Sequence, residues 1–281
     1  GPPISQHVTL DGGEVKLFRF TPPSPIPSVE VRLTNRLANP VLAVRPGTNA
    51  PVPQLPYFYP YYGVGGGYTS GRSEGADLIT MANVASGSTL ISVFAMDDGS
   101  GTYSDAEADL VIVPHGPTPL TYSNGTEVVS DQGAQTWRFF QVTVPGDSEG
   151  WELRVTDVSG GAPSLYVRRD TIPEPGAPEL NIFSTDWPSG NQFTAGADWT
   201  ALNENDGSSA SGRFAGFGRN NPLKPGLYFV GVLNSDLSSA SSYNLRSRGI
   251  GGVGGLPITP LAFAGGSVTP PPLPARQVAY Y

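Results

Sequence analysis

Residues 151–170 read WELRVTDVSGGAPSLYVRRD, and residues 29–47 read VEVRLTNRLANPVLAVRPG. In both, an alternating run enters a turn containing Asn or Gly with Pro, and a second alternating run follows. A period of two places Val29, Val31 and Leu33 on one face of a strand and Glu30 and Arg32 on the other. Trp151, Leu153 and Val155 stand against Glu152 and Arg154 in the same way. One buried face and one wet face is the pattern of an antiparallel sheet, and two such sheets make a sandwich. No segment carries helical periodicity. The expected fold class is therefore all-β, with antiparallel sandwiches.

The similarity of the two stretches belongs to a longer repeat. Three openings resemble one another: GPPIS at 1, GPTPLT at 116 and GLPIT at 255. Each leads to an aromatic strand, EVKLFRFTPP (14–23), QTWRFFQVTVP (135–145) and RQVAYY (276–281). Further on, ASGSTLISVFAMDDGS (85–100) parallels LKPGLYFVGVLNSDLS (223–238), and EADLVIV (107–113) parallels YNLRSRG (243–249). The sequence thus predicts a first sandwich over 1–115 and a second over 116–250. Residues 251–281 read as a Gly/Pro-rich linker and an extended C-terminal strand resembling the start of a third repeat. The stretches 48–76 and 171–221, rich in Gly, Pro, Ser and Asn, read as long loops of the kind that serve interaction surfaces.

Composition narrows the function classes. Charged residues are 14% of the chain, about half the usual globular share, and the net charge is −8. Lys16 and Lys224 are the two lysines and no basic run occurs, which argues against a nucleic-acid partner. No run approaches the roughly 20 apolar residues of a spanning helix, so no membrane span is expected. Cysteine is absent, which removes disulfides, thiol catalysis and zinc–thiolate sites. Low charge, no cysteine and abundant Gly, Ser, Thr, Tyr and Asn suit a prokaryotic protein exported to the cell surface. The first residue is Gly, no signal peptide is visible, and a mature or excised product is expected.

The second repeat resembles the bacterial pre-peptidase C-terminal domain family. The resemblance is carried by SLYVRR (164–169), KPGLYFVGV (224–232) and YNLR (243–246). The first repeat is similar through PVLAVRPG (40–47), GSTLISV (87–93) and ADLVIV (108–113), with the tyrosines of the latter two strands replaced. The resemblance implies a compact jelly-roll-like sandwich that accompanies exported proteins without catalysing a reaction. Some members beside collagen-degrading peptidases bind calcium and substrate, and others are spacers in long surface proteins.

Candidate sites are few. His7 and His115 lie apart in sequence and no G-x-S-x-G elbow is present, so nothing points to nucleophilic catalysis. Asp97, Asp98, Asp105, Glu107 and Asp109 supply hard oxygens beside a Gly-rich turn, as a calcium site needs, although the spacing is not that of an EF-hand. The other reading is a solvated hairpin whose acids discourage edge pairing. No other cofactor is expected. LPYFYPYYGVGGGY (55–68) presents Tyr57, Phe58, Tyr59, Tyr61 and Tyr62, either as a subunit-contact loop or as a cover over its own sandwich. Asn124 in Asn-Gly-Thr fits a glycosylation acceptor or a simple turn.

The unpaired strand formed by Arg276, Gln277, Val278, Ala279, Tyr280 and Tyr281 needs partners for its backbone groups. Prolines at 270–272 and 274 stiffen the approach to it. Three readings follow: the chain is a piece of a longer tandem array, its tail adds to a sheet of another subunit, or the tail folds back on the second repeat. The expected function is a non-catalytic structural subunit of an extracellular filament, stalk or coat, assembling head to tail as that strand pairs with another copy or an adjoining repeat. The alternative is a substrate-binding accessory module of a secreted peptidase or polysaccharide hydrolase.

Overall fold

The computed structural model describes residues 2–51, 62–63, 67–70, 77–96, 102–134, 136–174, 177–181, 183–196, 213–236, 238–252, 254–262, 264–270, 272 and 279–281. The chain is all-β and divides into two compact units. The first comprises Gly1–Pro117 with Ala134–Trp137 and Glu174–Ala177. The second comprises Thr118–Gly133, Arg138–Pro173 and Pro178–Tyr281.

In the first unit the strands are β1 (Ile4–Leu10), β2 (Val15–Phe20), β3 (Ile26–Leu37), β4 (Pro40–Pro46), β5 (Tyr62–Gly63), β6 (Gly67–Ser70), β7 (Asp77–Val84), β8 (Thr89–Ala95) and β9 (Ala106–His115). They form two sheets, ordered β1-β9-β3-β7 and β2-β8-β4-β6-β5. The second unit has β10 (Thr118–Pro119), β11 (Gly125–Gln132), β12 (Trp137–Val144), β13 (Gly150–Ser159), β14 (Pro163–Arg169), β15 (Gln192–Gly196), β16 (Arg213–Arg219), β17 (Pro222–Leu223), β18 (Gly226–Asn234) and β19 (Ser241–Ile250). Its sheets run β11-β19-β13-β16-β17 and β10-β12-β18-β14-β15. Read strand for strand, the two schemes coincide. β11, β19, β13 and β16 stand where β1, β9, β3 and β7 stand, and β12, β18, β14 and β15 answer β2, β8, β4 and β6. Among the described residues, β10 on β12 and β17 on β16 are short parallel additions to otherwise antiparallel pairings.

Most consecutive strands change sheets. β3 and β4, which the sequence reads as neighbouring runs, lie in opposite sheets, as do β13 and β14. Their inward residues therefore meet in the middle of each sandwich. Val29, Val31 and Leu33 join Leu42, Val44, Ile91 and Val93 in the first core. Trp151, Leu153 and Val155 join Leu165, Val167, Tyr228 and Val230 in the second. The second core is the more aromatic. Trp187 sits against Tyr228 and Phe217 with ring centroids 5.0 Å away in each case, and Trp151 lies 5.5 Å from Tyr228. Such edge-on and tilted pairs add to the stabilisation that burial alone supplies. Trp187 and Leu180 come from the long connection after β14, so part of the 171–221 stretch closes its own core rather than facing a partner.

The expectation of one wet face per sheet does not hold along β3 and β13. Glu30, Glu152 and Arg154 sit at outward positions and are nevertheless buried, as is Ser28. On the other sheets, outward Ser92, Ser164 and Arg168 are buried too. Connections folding back over the sheets account for this. Ser92 Oγ donates to Pro51 O (3.2 Å), and Arg168 donates to Gly190 O (2.8 Å) and Ile172 O (2.9 Å).

Both third strands carry a bulge at the same place. The register of β3 on β9 shifts between Thr34 and Leu37, and that of β13 on β19 between Thr156 and Ser159. Asn35 (φ 51°) and Asp157 (φ 55°) hold the left-handed turn of the bulge, a conformation Asn and Asp tolerate better than other side-chain-bearing residues. Asn35 Nδ2 donates to Asp109 Oδ2 at 2.7 Å, and Asn244 Nδ2 donates to Asp157 Oδ2 at 2.6 Å. Asn35→Val places a β-branched residue in that conformation and should cost about 1–2 kcal/mol more than Asn35→Gly, which loses the same hydrogen bond without the strain. Urea unfolding of the two variants measures the difference, and equal midpoints would refute the strain account.

Candidate functional site

The polar chemistry of each unit concentrates on the outer face of its third strand. In the first unit Glu30 lies 3.1 Å from Arg32 Nη1 and accepts a hydrogen bond from the Trp137 backbone amide (3.2 Å). In the second, Glu152 is fully enclosed, and its Oε1 receives Arg154 Nε and Arg248 Nε at 2.6 Å each, with Arg248 Nη2 also in contact. The Tyr280 hydroxyl reaches Oε2 of the same carboxylate at 3.3 Å. Burial and the adjacent Glu152 push the Tyr280 phenol up to about 12, so it is a neutral donor at all ordinary pH. A buried charge pair adds little net stability, but removing one member strands the other in a dry environment.

These carboxylates are not legible from alternation, which places Glu30 and Glu152 in water. The signal that does point to them is the recurrence of Glu-x-Arg at matching positions, 30–32 and 152–154. Alternation alone gives no reason for an outward strand position to keep the same charged pair in both repeats.

Of the acidic stretch, Asp105, Glu107 and Asp109 are described, and each has a polar neighbour. Asp97 and Asp98 lie outside the described residues. Asp105 Oδ1 accepts the Gly12 amide at 3.0 Å. Glu107 stands 3.9 Å from His7 Nε2, and Asp109 shares its oxygens between His7 Nδ1 (2.9 Å) and Asn35 Nδ2 (2.7 Å). Among the described residues no three His, Asp or Glu side chains come together as a metal-binding group. The Asn35 hydrogen bond, followed by that of His7, holds the Asp109 carboxyl below the usual carboxylate range. His115 ends β9, its backbone paired with Ser28.

The remaining candidates separate. Tyr57, Phe58, Tyr59 and Tyr61 lie outside the described residues, and Tyr62 opens β5 with its backbone paired to Tyr68. Asn124, exposed and at φ 60°, donates Nδ2 to Gly254 O at 2.9 Å, tying its turn to the distant 254 segment. Arg276, Gln277 and Val278 lie outside the described residues. Ala279, Tyr280 and Tyr281 do not form the expected free strand. Tyr280 makes one parallel bridge to Ile258 and accepts the Thr259 amide at 2.9 Å, so its backbone finds its partner inside its own unit. The reason is local: Gly249, Gly251 and Leu256 form a tight hydrogen-bonded turn that brings Ile258 back beside the outer face of the sheet. The first unit also holds a groove of about 680 Å³, walled by Pro2, Ile4, Phe20, Pro22, Pro25 and Ile26, with Arg19 in its lining.

Glu152→Ala should destabilise the chain by roughly 3–5 kcal/mol because it leaves Arg154 and Arg248 beside an uncompensated site. Glu107→Ala, at a half-buried position with its side chain largely in solvent, should stay within about 0.5 kcal/mol; denaturant unfolding compares them. For Asp109, a folded value below the unfolded one of about 4 means a contribution that is present above the unfolded value and lost as pH falls through the folded one. Carboxyl titration by NMR should show Asn35→Ala raising the Asp109 value more than His7→Ala does.

No family model matches the chain, and no curated protein matches it. Solved structures align only distantly. The STIV MCP aligns with 88% of this chain and 96% of its own at 9% identity and a TM-score of 0.24. PNGase F, a glycosylasparaginase from Flavobacterium meningosepticum, aligns with 88% of this chain and 96% of its own at 10% identity and a TM-score of 0.22. A chain from the structure of Sulfolobus Turreted Icosahedral Virus aligns with 86% of this chain and 58% of its own at 11% identity and a TM-score of 0.22. Scores this low carry no inference about activity or assembly.

Proposed function

We propose that this chain is a non-catalytic structural subunit of an extracellular filament, stalk or surface coat, with further copies of itself or adjoining repeats as its partners. The observation that carries this reading is the use to which the polar residues are put. One strand scheme is built twice, and in both copies the charged and amide side chains at matching positions are engaged in holding the fold. Glu30 with Arg32 answers Glu152 with Arg154, and Asn35 with Asp109 answers Asp157 with Asn244. A duplicated scaffold of this kind is what a spacer or coat repeat requires, and the resemblance to pre-peptidase C-terminal domains, some of which are spacers, points the same way.

A second reading has one observation in its favour, the apolar groove of the first unit. Mostly apolar grooves with a single charged side chain in the wall are common ligand sites, and this one suits the accessory-module alternative, in which the chain holds an insoluble polymer for a secreted hydrolase or peptidase.

Electron microscopy and light scattering of the purified chain over a rising concentration series separate the two. Regular fibres or sheets are the expected result. A monomer at every concentration that co-sediments with collagen, cellulose or chitin, and loses that affinity on Phe20→Ala, would replace the structural reading with the binding one.

A further inference from the structure

The C-terminal residues end on a seat made for one tyrosine. Its floor is Glu152, wholly enclosed and held through Oε1 by Arg154 and Arg248, while Oε2 is left to receive the Tyr280 hydroxyl. Beside it, Thr259 N–H and the bridge from Ile258 hold the Tyr280 backbone. Between Thr259 and Ala279 the chain makes an excursion that returns to its starting point. Every described residue from Pro257 to Pro272 is exposed, so what fixes the excursion is found at its ends. Its sequence carries Pro260, Pro270, Pro271, Pro272 and Pro274. Chain of this composition prefers an extended course, and bending it back on itself is unfavourable without contacts to compensate.

A seat of fixed chemistry, filled by a segment on a proline-rich tether whose described residues are exposed, has the requirements for exchange between copies. The contacts made by Tyr280 are the same whichever molecule supplies it, and exchange releases the closed excursion. The first unit uses its matching acid in a related way: Glu30 accepts the Trp137 amide, again from a segment that follows the last strand of that unit, β9.

We propose that the Glu152–Arg154–Arg248 seat takes Tyr280 from a second copy of this chain, making the exchanged tail a joint between subunits. The inference rests on the self-assembling structural role given above and names the contact that role would use.

The absence of native cysteine permits a direct test. The parallel bridge between Ile258 and Tyr280 sets Thr259 opposite Tyr281, one step beyond, leaving Tyr280 untouched. A tagged Thr259→Cys copy is mixed with an untagged Tyr281→Cys copy at concentrations up to the order of 1 mM, comparable to the effective concentration of a short tether, and oxidised. Mixed disulfide dimers are expected to exceed either same-variant dimer about tenfold, and to fall to the same-variant level when the Tyr281→Cys copy also carries Tyr280→Phe. A double Thr259→Cys/Tyr281→Cys chain reports closure within one molecule. Cross-linking of that chain solely as a monomer, with no excess of mixed dimer, overturns the proposal by assigning the seat to its own tail. Lack of any cross-link overturns it as well, and so does a mixed dimer indifferent to Tyr280→Phe. Fibres or sheets of the unmodified chain that persist in any of these cases leave the structural role standing with a different joint.

Discussion

A strand that is dry on both faces must neutralise whatever its second face carries. This condition governs both units. β3 and β13 run through the middle of their sheets, and the connections and flanking segments of each unit close over them. An isolated carboxylate in such a place would be strongly disfavoured. Each strand therefore carries its own arginine two residues on, and the second unit adds Arg248 from the neighbouring β19. The pairing is less a source of stability than a condition for closing the sheet at all, since a well-packed apolar pair often does as well.

Much of the architecture can be read from the sequence because it depends on short-range pattern. The inward positions of 29–33 and 151–155 follow from alternation, and the likeness of 29–47 to 151–170 reveals the duplication. What alternation cannot reveal is what lies over the outer face. Glu152 looks solvated until Tyr280, more than a hundred residues away in sequence, is placed beside it. The tail fails to read correctly for the same reason. RQVAYY has the composition of a strand, but whether Tyr280 pairs depends on the turn at 249–256, whose glycines give no hint of where Ile258 will arrive. The acids at 105–109 show the limit of composition: they are grouped in sequence, but two neighbours on opposite sides, Gly12 and Asn35, draw Asp105 and Asp109 to different partners.

The two cores also show how one scheme accepts different filling. Where the second unit has Trp151, Phe217 and Tyr228, the matching positions of the first hold Val29, Met81 and Thr89. The larger rings are accommodated together with Trp187, supplied by a long connection, and the Tyr228 hydroxyl is anchored on the backbone of Lys224. Volume is thus redistributed between strand and loop while the strand order stays fixed, as expected of cores that tolerate substitution when the total filling is kept.

The bond across each bulge has the amide on the third strand in one unit and on the last strand in the other. Because either end can bear the acid, the ionised group can migrate from strand to strand without any change of backbone. In the first unit it sits on the last strand beside His7; in the second it sits on the third strand, 3.8 Å from Arg246. Two sandwiches of one design can therefore show dissimilar electrical surfaces to their surroundings, and a scaffold able to do that can diversify what it touches while leaving its framework alone.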